Sequence, residues 1–117
     1  MLQITAQSKI FLAIQPIDFR KGMDGIAALC RQKLDSDPMN GALFVFKNRL
    51  QNTLKILCYD GQGFWLCAKR LSSGKFQWWP KSNASIDPIT YRALHTLIYN
   101  GNPNNANFRE DWRSLPP

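Results

Sequence analysis

The stretch ALFVFKNRLQNTLKILCYDGQGFWLCAKRLSSGKFQWW, residues 42–79, decides the fold. Its four apolar runs alternate with three polar breaks, at Lys47–Asn52, Asp60–Gly63 and Ser72–Lys75. Short apolar runs separated by turn-forming residues are the pattern of consecutive hairpins. The spacing predicts strands over Ala42–Phe46, Thr53–Tyr59, Phe64–Leu71 and Phe76–Trp79, the last stopped by Pro80. In the second run Leu54, Ile56 and Cys58 alternate with Lys55, Leu57 and Tyr59, the two-residue period of a strand. Asp60-Gly-Gln-Gly63 then reverses the chain, because glycine takes positive φ without a steric cost. Trp65 and Phe76 are expected in the core. Of the adjacent pair Trp78 and Trp79 one is expected outside it, since neighbouring strand residues face opposite sides.

Outward from this meander, Lys9–Ile14 is a β-prone run that Gln15-Pro16-Ile17-Asp18 ends. Met23, Ala27, Cys30 and Leu34, widened by Ile26, recur at helical spacing and predict a helix over Lys21–Leu34. Asp18 is the expected cap of its entry, and Asp24 lies near its positive end. Gly22 and Gly25 weaken the first turn and allow a later start. Beyond the meander, Asp87-Pro88 reads as a cap followed by a first-turn proline, opening a second helix over Pro88–Tyr99 that Asn100-Gly101 closes. The remainder, NPNNANFREDWRSLPP, is rich in Asn and Pro. It either stays free or is held to the domain by Phe108, Trp112 and Leu115. The expected fold is α+β: an antiparallel β-meander of four to five strands, including the N-terminal one, with one helix packed on a face and a second near the C-terminus. Residues 1–101 form a single domain on this reading, and 102–117 a tail. The sheet's other face is expected to be partly aromatic and partly basic.

Charge separates the chain from an ordinary globular protein. Lys and Arg number 15 against 8 acidic residues, a net charge of +7. Lys47–Lys81 alone carries Lys47, Arg49, Lys55, Lys69, Arg70, Lys75 and Lys81 against Asp60, which is +6 of that total. Such a surplus favours polyanionic partners, nucleic acid or an anionic membrane surface, although a merely positive surface has the same composition. The longest purely apolar runs, Ile10–Ile14 and Ala42–Phe46, are five residues, too short to span a membrane. The N-terminus lacks a basic segment followed by a long apolar one. A soluble, cytoplasmic protein is expected.

Catalytic and metal chemistry find little to stand on. The cysteines Cys30, Cys58 and Cys67 are odd in number and form no CxxC, so small buried side chains are expected rather than a disulfide frame or a metal site. The one histidine, His95, falls inside the second helix and reads as a surface position rather than a base or ligand. No phosphate-binding glycine loop and no nucleophile elbow is present. Asp18, Asp24, Asp35, Asp37, Asp60 and Asp87 sit at turns or helix starts, where aspartate serves the backbone. A two-metal nuclease using Asp18, Asp24 or Asp60 is the least supported class. No catalytic residue, cofactor or metal is expected. The candidates for nucleic-acid binding are Arg20, Lys21, Lys47, Arg49, Lys69, Arg70 and Lys75, with Trp78 and Trp79. Cations neutralise phosphates and exposed aromatics stack on bases. The competing reading makes the tryptophans core and the lysines a solvated face.

Several of these segments resemble one family. Ile17-Asp-Phe-Arg-Lys-Gly-Met-Asp-Gly-Ile-Ala27 is close to its signature TDMRKGxDGLA, and Asp37-Pro-Met-Asn-Gly-Ala-Leu-Phe-Val-Phe46 to its DPxxGxLFVF segment. Asn48-Arg49, Leu54-Lys-Ile-Leu57, Tyr59-Asp-Gly-Gln-Gly-Phe64, Lys69-Arg-Leu71 and Gly74-Lys-Phe-Gln-Trp78 follow in the family's order. Residues 9–101 thus resemble the transposase accessory proteins, products of the second open reading frame, of the insertion-sequence sixty-six family. The resemblance implies a small basic protein encoded beside a separate transposase and needed for transposition. It supplies no catalytic residues. Its shared basic positions match Arg20, Lys21, Arg49, Lys55, Lys69, Arg70 and Lys75. Gln15 stands where glycine is common, and Leu50-Gln-Asn-Thr53 replaces a stretch usually richer in Arg and Asp. The expected function is a non-enzymatic accessory role in DNA transposition, with DNA and the separately encoded transposase as partners and no membrane. The alternative is an adaptor that docks on the transposase through the sheet edge or Trp78–Trp79, with charge serving only to steer.

Overall fold

The run Ile10–Ala13 (β1) becomes an inner strand of the sheet, with the meander on one side and a further strand on the other. The computed structural model describes residues 4–103. After β1 come α1 (Met23–Gln32), β2 (Leu43–Lys47), β3 (Thr53–Tyr59), β4 (Phe64–Arg70), β5 (Ile86–Ile89) and α2 (Tyr91–Ile98). The sheet order is β4-β3-β2-β1-β5. β2, β3 and β4 form the antiparallel meander the sequence predicts, with Val45 opposite Ile56 and Ile56 opposite Cys67. β1 lies parallel to β2, Phe11 opposite Phe44, so the α+β sheet is mixed rather than wholly antiparallel. Parallel neighbours need a long crossover, and α1 is that crossover.

The fifth strand is not Phe76–Trp79. That segment carries no strand, and β5 instead forms from Ile86–Ile89, antiparallel to β1 with Leu12 opposite Asp87. Asp87 and Pro88, expected to open the second helix, therefore belong to a strand. Thr90 caps α2 in their place, its Oγ1 accepting the Ala93 backbone N–H at 3.1 Å. Pro88 is tolerated because β5 is an edge strand and its missing N–H lies on the outer side. At the other end of α2, Asn100 takes the left-handed conformation (φ 62°), as a helix-terminating Asn does. Gly101 follows where an added Cβ would come within 2.6 Å of the Thr96 methyl. α1 starts at Met23 with Gly22 as N-cap and no side-chain cap, so Asp18 does not cap it.

Both faces of the sheet are covered. On one, α1 lays Ile26, Ala27 and Cys30 against Ala13, Phe44, Phe46 and Leu57. On the other, Leu94 and Leu97 of α2 pack on Ile10, Leu12, Val45, Leu54 and Ile56, joined by Phe76. Burying one side chain of this kind is worth about 1.5–3 kcal/mol, so each helix is held by its apolar stripe. The second face, expected to be partly aromatic and partly basic, does carry Phe76, Trp78 and Trp79, but under the cover of α2. Trp78 and Trp79, no longer in a strand, both pack against this second cluster, partly buried. Trp65, expected in the core, is 40 % exposed and donates its indole N–H to Asp60 Oδ2 at 2.8 Å. Its strand is the sheet's edge, so nothing in the described chain lies beyond it. Phe76 is buried as expected. The segment holding Phe108, Trp112 and Leu115 lies outside the described residues.

Candidate nucleic-acid interface

The topology collects most of the described basic residues at one end of the sheet. β1 and β2 finish there, β3 starts there and β4 finishes there. Three connections meet at that end: residues 14–22 between β1 and α1, the turn 48–52, and the segment 71–85 before β5. With the strand ends they carry Arg20, Lys21, Lys47, Arg49, Lys55, Lys69, Arg70, Lys75 and Lys81, against Asp18, Asp24 and Asp87, the last in β5, which starts at this end. Asp35, Asp37 and Asp60 lie at the opposite end. Asp60 is thereby separated from Asp18 and Asp24, which does not assemble the carboxylate set a metal-dependent nuclease would use. Among the described residues, no group of three or more His, Cys, Asp and Glu side chains could hold a metal. His95 is exposed, its ring edge-on to Tyr91 at 6.2 Å.

Hydrogen bonds lock the three connections together. The Ile17 N–H donates to the Lys47 carbonyl at 2.9 Å, pinning the first loop to the end of β2. Asn48 organises the turn: its Oδ1 accepts the backbone N–H of Asn52 (3.1 Å) and Thr53 (3.2 Å), while its Nδ2 donates to Asn52 Oδ1 at 2.7 Å. Gln51 completes the turn with φ 58°. The same turn anchors the third connection, because Leu71 and Phe76 donate to the carbonyls of Asn52 and Gln51, both at 2.8 Å. The loops are therefore a framed surface rather than independent strings.

The cations at this end divide into two sets. Lys47, Lys55 and Lys69 are turned to internal partners. Lys47 Nζ lies 5.1 Å from the Trp79 ring centre, and partial burial lowers its pKa. The Trp79 indole in turn donates to the Ala13 carbonyl at 2.9 Å. Lys55 donates to the Phe19 carbonyl (3.1 Å) and sits 4.9 Å over the Phe19 ring, tying the first loop to β3. Lys69 donates to the Ile98 carbonyl at 2.5 Å beside the Tyr99 ring, where a cation complements the negative end of α2. Arg20, Lys21, Arg49, Arg70 and Lys75 are exposed. Of these, Arg20 pairs with Asp18 through a fork of bonds at 2.7–3.1 Å, although its side chain is 91 % exposed. That fork and the Arg20 backbone N–H hold the Asp18 carboxyl down at about 2. Among the nine residues singled out from the sequence, then, the structure brings Arg20, Lys21, Arg49, Arg70 and Lys75 together facing solvent. It turns Lys47, Lys69, Trp78 and Trp79 toward the protein.

One feature went unread in the sequence. An open concavity of about 570 Å³ lies between the first loop and the turn, lined by Ile17, Asp18, Phe19, Arg20, Asn48, Arg49 and Leu50. Leu50 is 65 % exposed beside it. A leucine in the polar turn Asn48–Asn52 was the available signal, since neither core nor turn chemistry requires it there.

Residues 8–107 match the family described as IS66 Orf2 like protein. Two similar curated proteins come from Sinorhizobium fredii (strain NBRC 101917 / NGR234), both described as uncharacterized. One, y4jC, is 40% identical over 78 residues, covering 67% of each chain. The other, y4hO, is 36% identical over 98 residues, covering 84% of each. No solved structure matches.

Proposed function

The chain belongs to the IS66 Orf2-like (TnpB) family, and from that premise we propose that it is a non-enzymatic protein that holds DNA, or the transposase–DNA complex, against the basic end of its sheet. An accessory role in transposition follows from the family. The observation that supports DNA as the ligand is the convergence of Arg20, Lys21, Arg49, Arg70 and Lys75 on one framed end with few acids. The mechanism is neutralisation of phosphates with little reading of bases. Both helices lie flat on the sheet with their apolar sides buried, so neither is free to enter a major groove. Binding of this type weakens steeply with salt.

The test is a titration of labelled duplex DNA at several salt concentrations. Binding that falls linearly on logarithmic axes, with a slope reduced by about one for Arg49→Ala and again for Arg70→Ala, is expected. Absence of binding even at low salt defeats the reading. A second reading, an adaptor that docks on the transposase without touching DNA, draws on Leu50 and the concavity beside it. It predicts capture of the transposase in the absence of DNA that survives Arg70→Ala and is lost with Leu50→Asp.

A further inference from the structure

The two edges of the sheet are finished differently. Ile14 donates to the Ser85 carbonyl, which sets the alternation along β1 and β5 and turns the backbone groups of Ile86 and position 88 outward. Position 88 is Pro88, which has no N–H, so this four-residue edge offers little to another strand. β4 has no such protection. Leu71 donates to the Asn52 carbonyl and Asp60 to the Gly63 carbonyl, so residues 63, 65, 67, 69 and 71 bond inward to β3. Phe64, Leu66, Ala68 and Arg70 therefore direct their N–H and C=O groups outward. No strand pairs with them among the described residues. The strand is seven residues long, without proline, and carries the exposed Trp65.

The geometry points to β4 as the interface for a second copy of this chain, antiparallel about a two-fold axis at Cys67. That register is the one that joins the outward groups, Leu66 to Ala68 and Phe64 to Arg70 of the other copy. It is also self-complementary in side chains. Phe64 opposes Arg70 of the second copy, so that cation meets an aromatic, while Trp65 opposes the stem of Lys69, whose ammonium stays on Ile98 and Tyr99; no like charges are opposed. It brings the Asp60 turn of each copy toward the Arg70 end of β4 of the other, acidic end to basic end. Cys67 meets its own counterpart in a non-hydrogen-bonded pair, where Cα atoms approach to about 4.5 Å, within disulfide range. One sheet then runs through both copies, with β5 at each outer edge and the two basic ends facing opposite ways along the strands.

The test uses the full chain. Sedimentation over a concentration series should show the mass doubling. Copper-phenanthroline oxidation, in which two thiols give up their protons and electrons to the oxidant, should link the copies. The linked species should vanish in Cys67→Ser and persist in Cys58→Ser. Ala68→Pro removes only an outward N–H and should abolish the dimer while leaving the circular dichroism spectrum unchanged. A monomer at every concentration, or a link that survives Cys67→Ser, overturns the proposal.

Discussion

At one end of the sheet Asn48 closes the β2–β3 turn; at the other Asp60 closes the β3–β4 turn. Both side chains accept two backbone N–H groups, Asn48 from Asn52 and Thr53, Asp60 from Gln62 and Gly63. The backbone task is the same, yet the amide leaves its end positive and the carboxylate lowers the charge of the other. The difference teaches that a turn's polar residue sets two things at once, the geometry of the reversal and the sign of the surface it makes. It also explains why the two turns have different neighbours. The Asn48 turn is bound into two further connections, whereas Asp60 adds one local bond, to Trp65.

The largest effect that sharpens this contrast is on ligand binding. Arg49→Glu with Arg70→Glu should weaken DNA binding on the order of 100-fold and lower the salt slope by about two. Lys9→Glu with Lys33→Glu, the same change of charge near the other end, should change it far less; equal losses from both pairs would erase the distinction between the ends. Next is stability. Asn48→Ala leaves two backbone N–H groups without their acceptor and should cost about 1–3 kcal/mol in denaturant unfolding, with little dependence on pH. The smallest effect belongs to Asp60. Its bonds from Gln62, Gly63 and Trp65 hold its pKa below the ordinary value of 3.8. A depressed carboxylate stabilises the fold above its unfolded pKa, and the contribution fades as pH falls through the folded one. Thermal unfolding followed from about pH 5 to about pH 3 should show a decline that is shallower in Asp60→Asn than in the parent.

Much of the fold was legible because it is written locally. Alternating side chains and the Asp60–Gly63 turn define β3 and β4 from residues within reach of one another, and the helical spacing of Ile26, Ala27 and Cys30 defines α1. The misreadings share a cause. Asp87-Pro88 has the local chemistry of a helix start, and only the free edge of β1 makes it a strand. Phe76–Trp79 has the local pattern of a strand, and only the covering of Leu54 and Val45 draws it across the sheet. Trp65 looks like core until its strand is known to be an edge. At the basic end, charge and residue type were visible, but the inward use of Lys47, Lys55 and Lys69 was not. Their partners, Trp79, Phe19 and the end of α2, lie 29 to 36 residues away.

The sequence by itself determined the meander, both helices and the surplus of positive charge, because periodicity and turn chemistry act over a few residues. The tertiary structure alone decided that β1 runs parallel beside β2, that β5 completes the sheet and that helices cover both faces. It also decided which cations remain exposed. Those outcomes depend on groups far apart in the chain competing for the same hydrogen bonds, rings and apolar surface, and that competition is settled only when the whole sheet assembles.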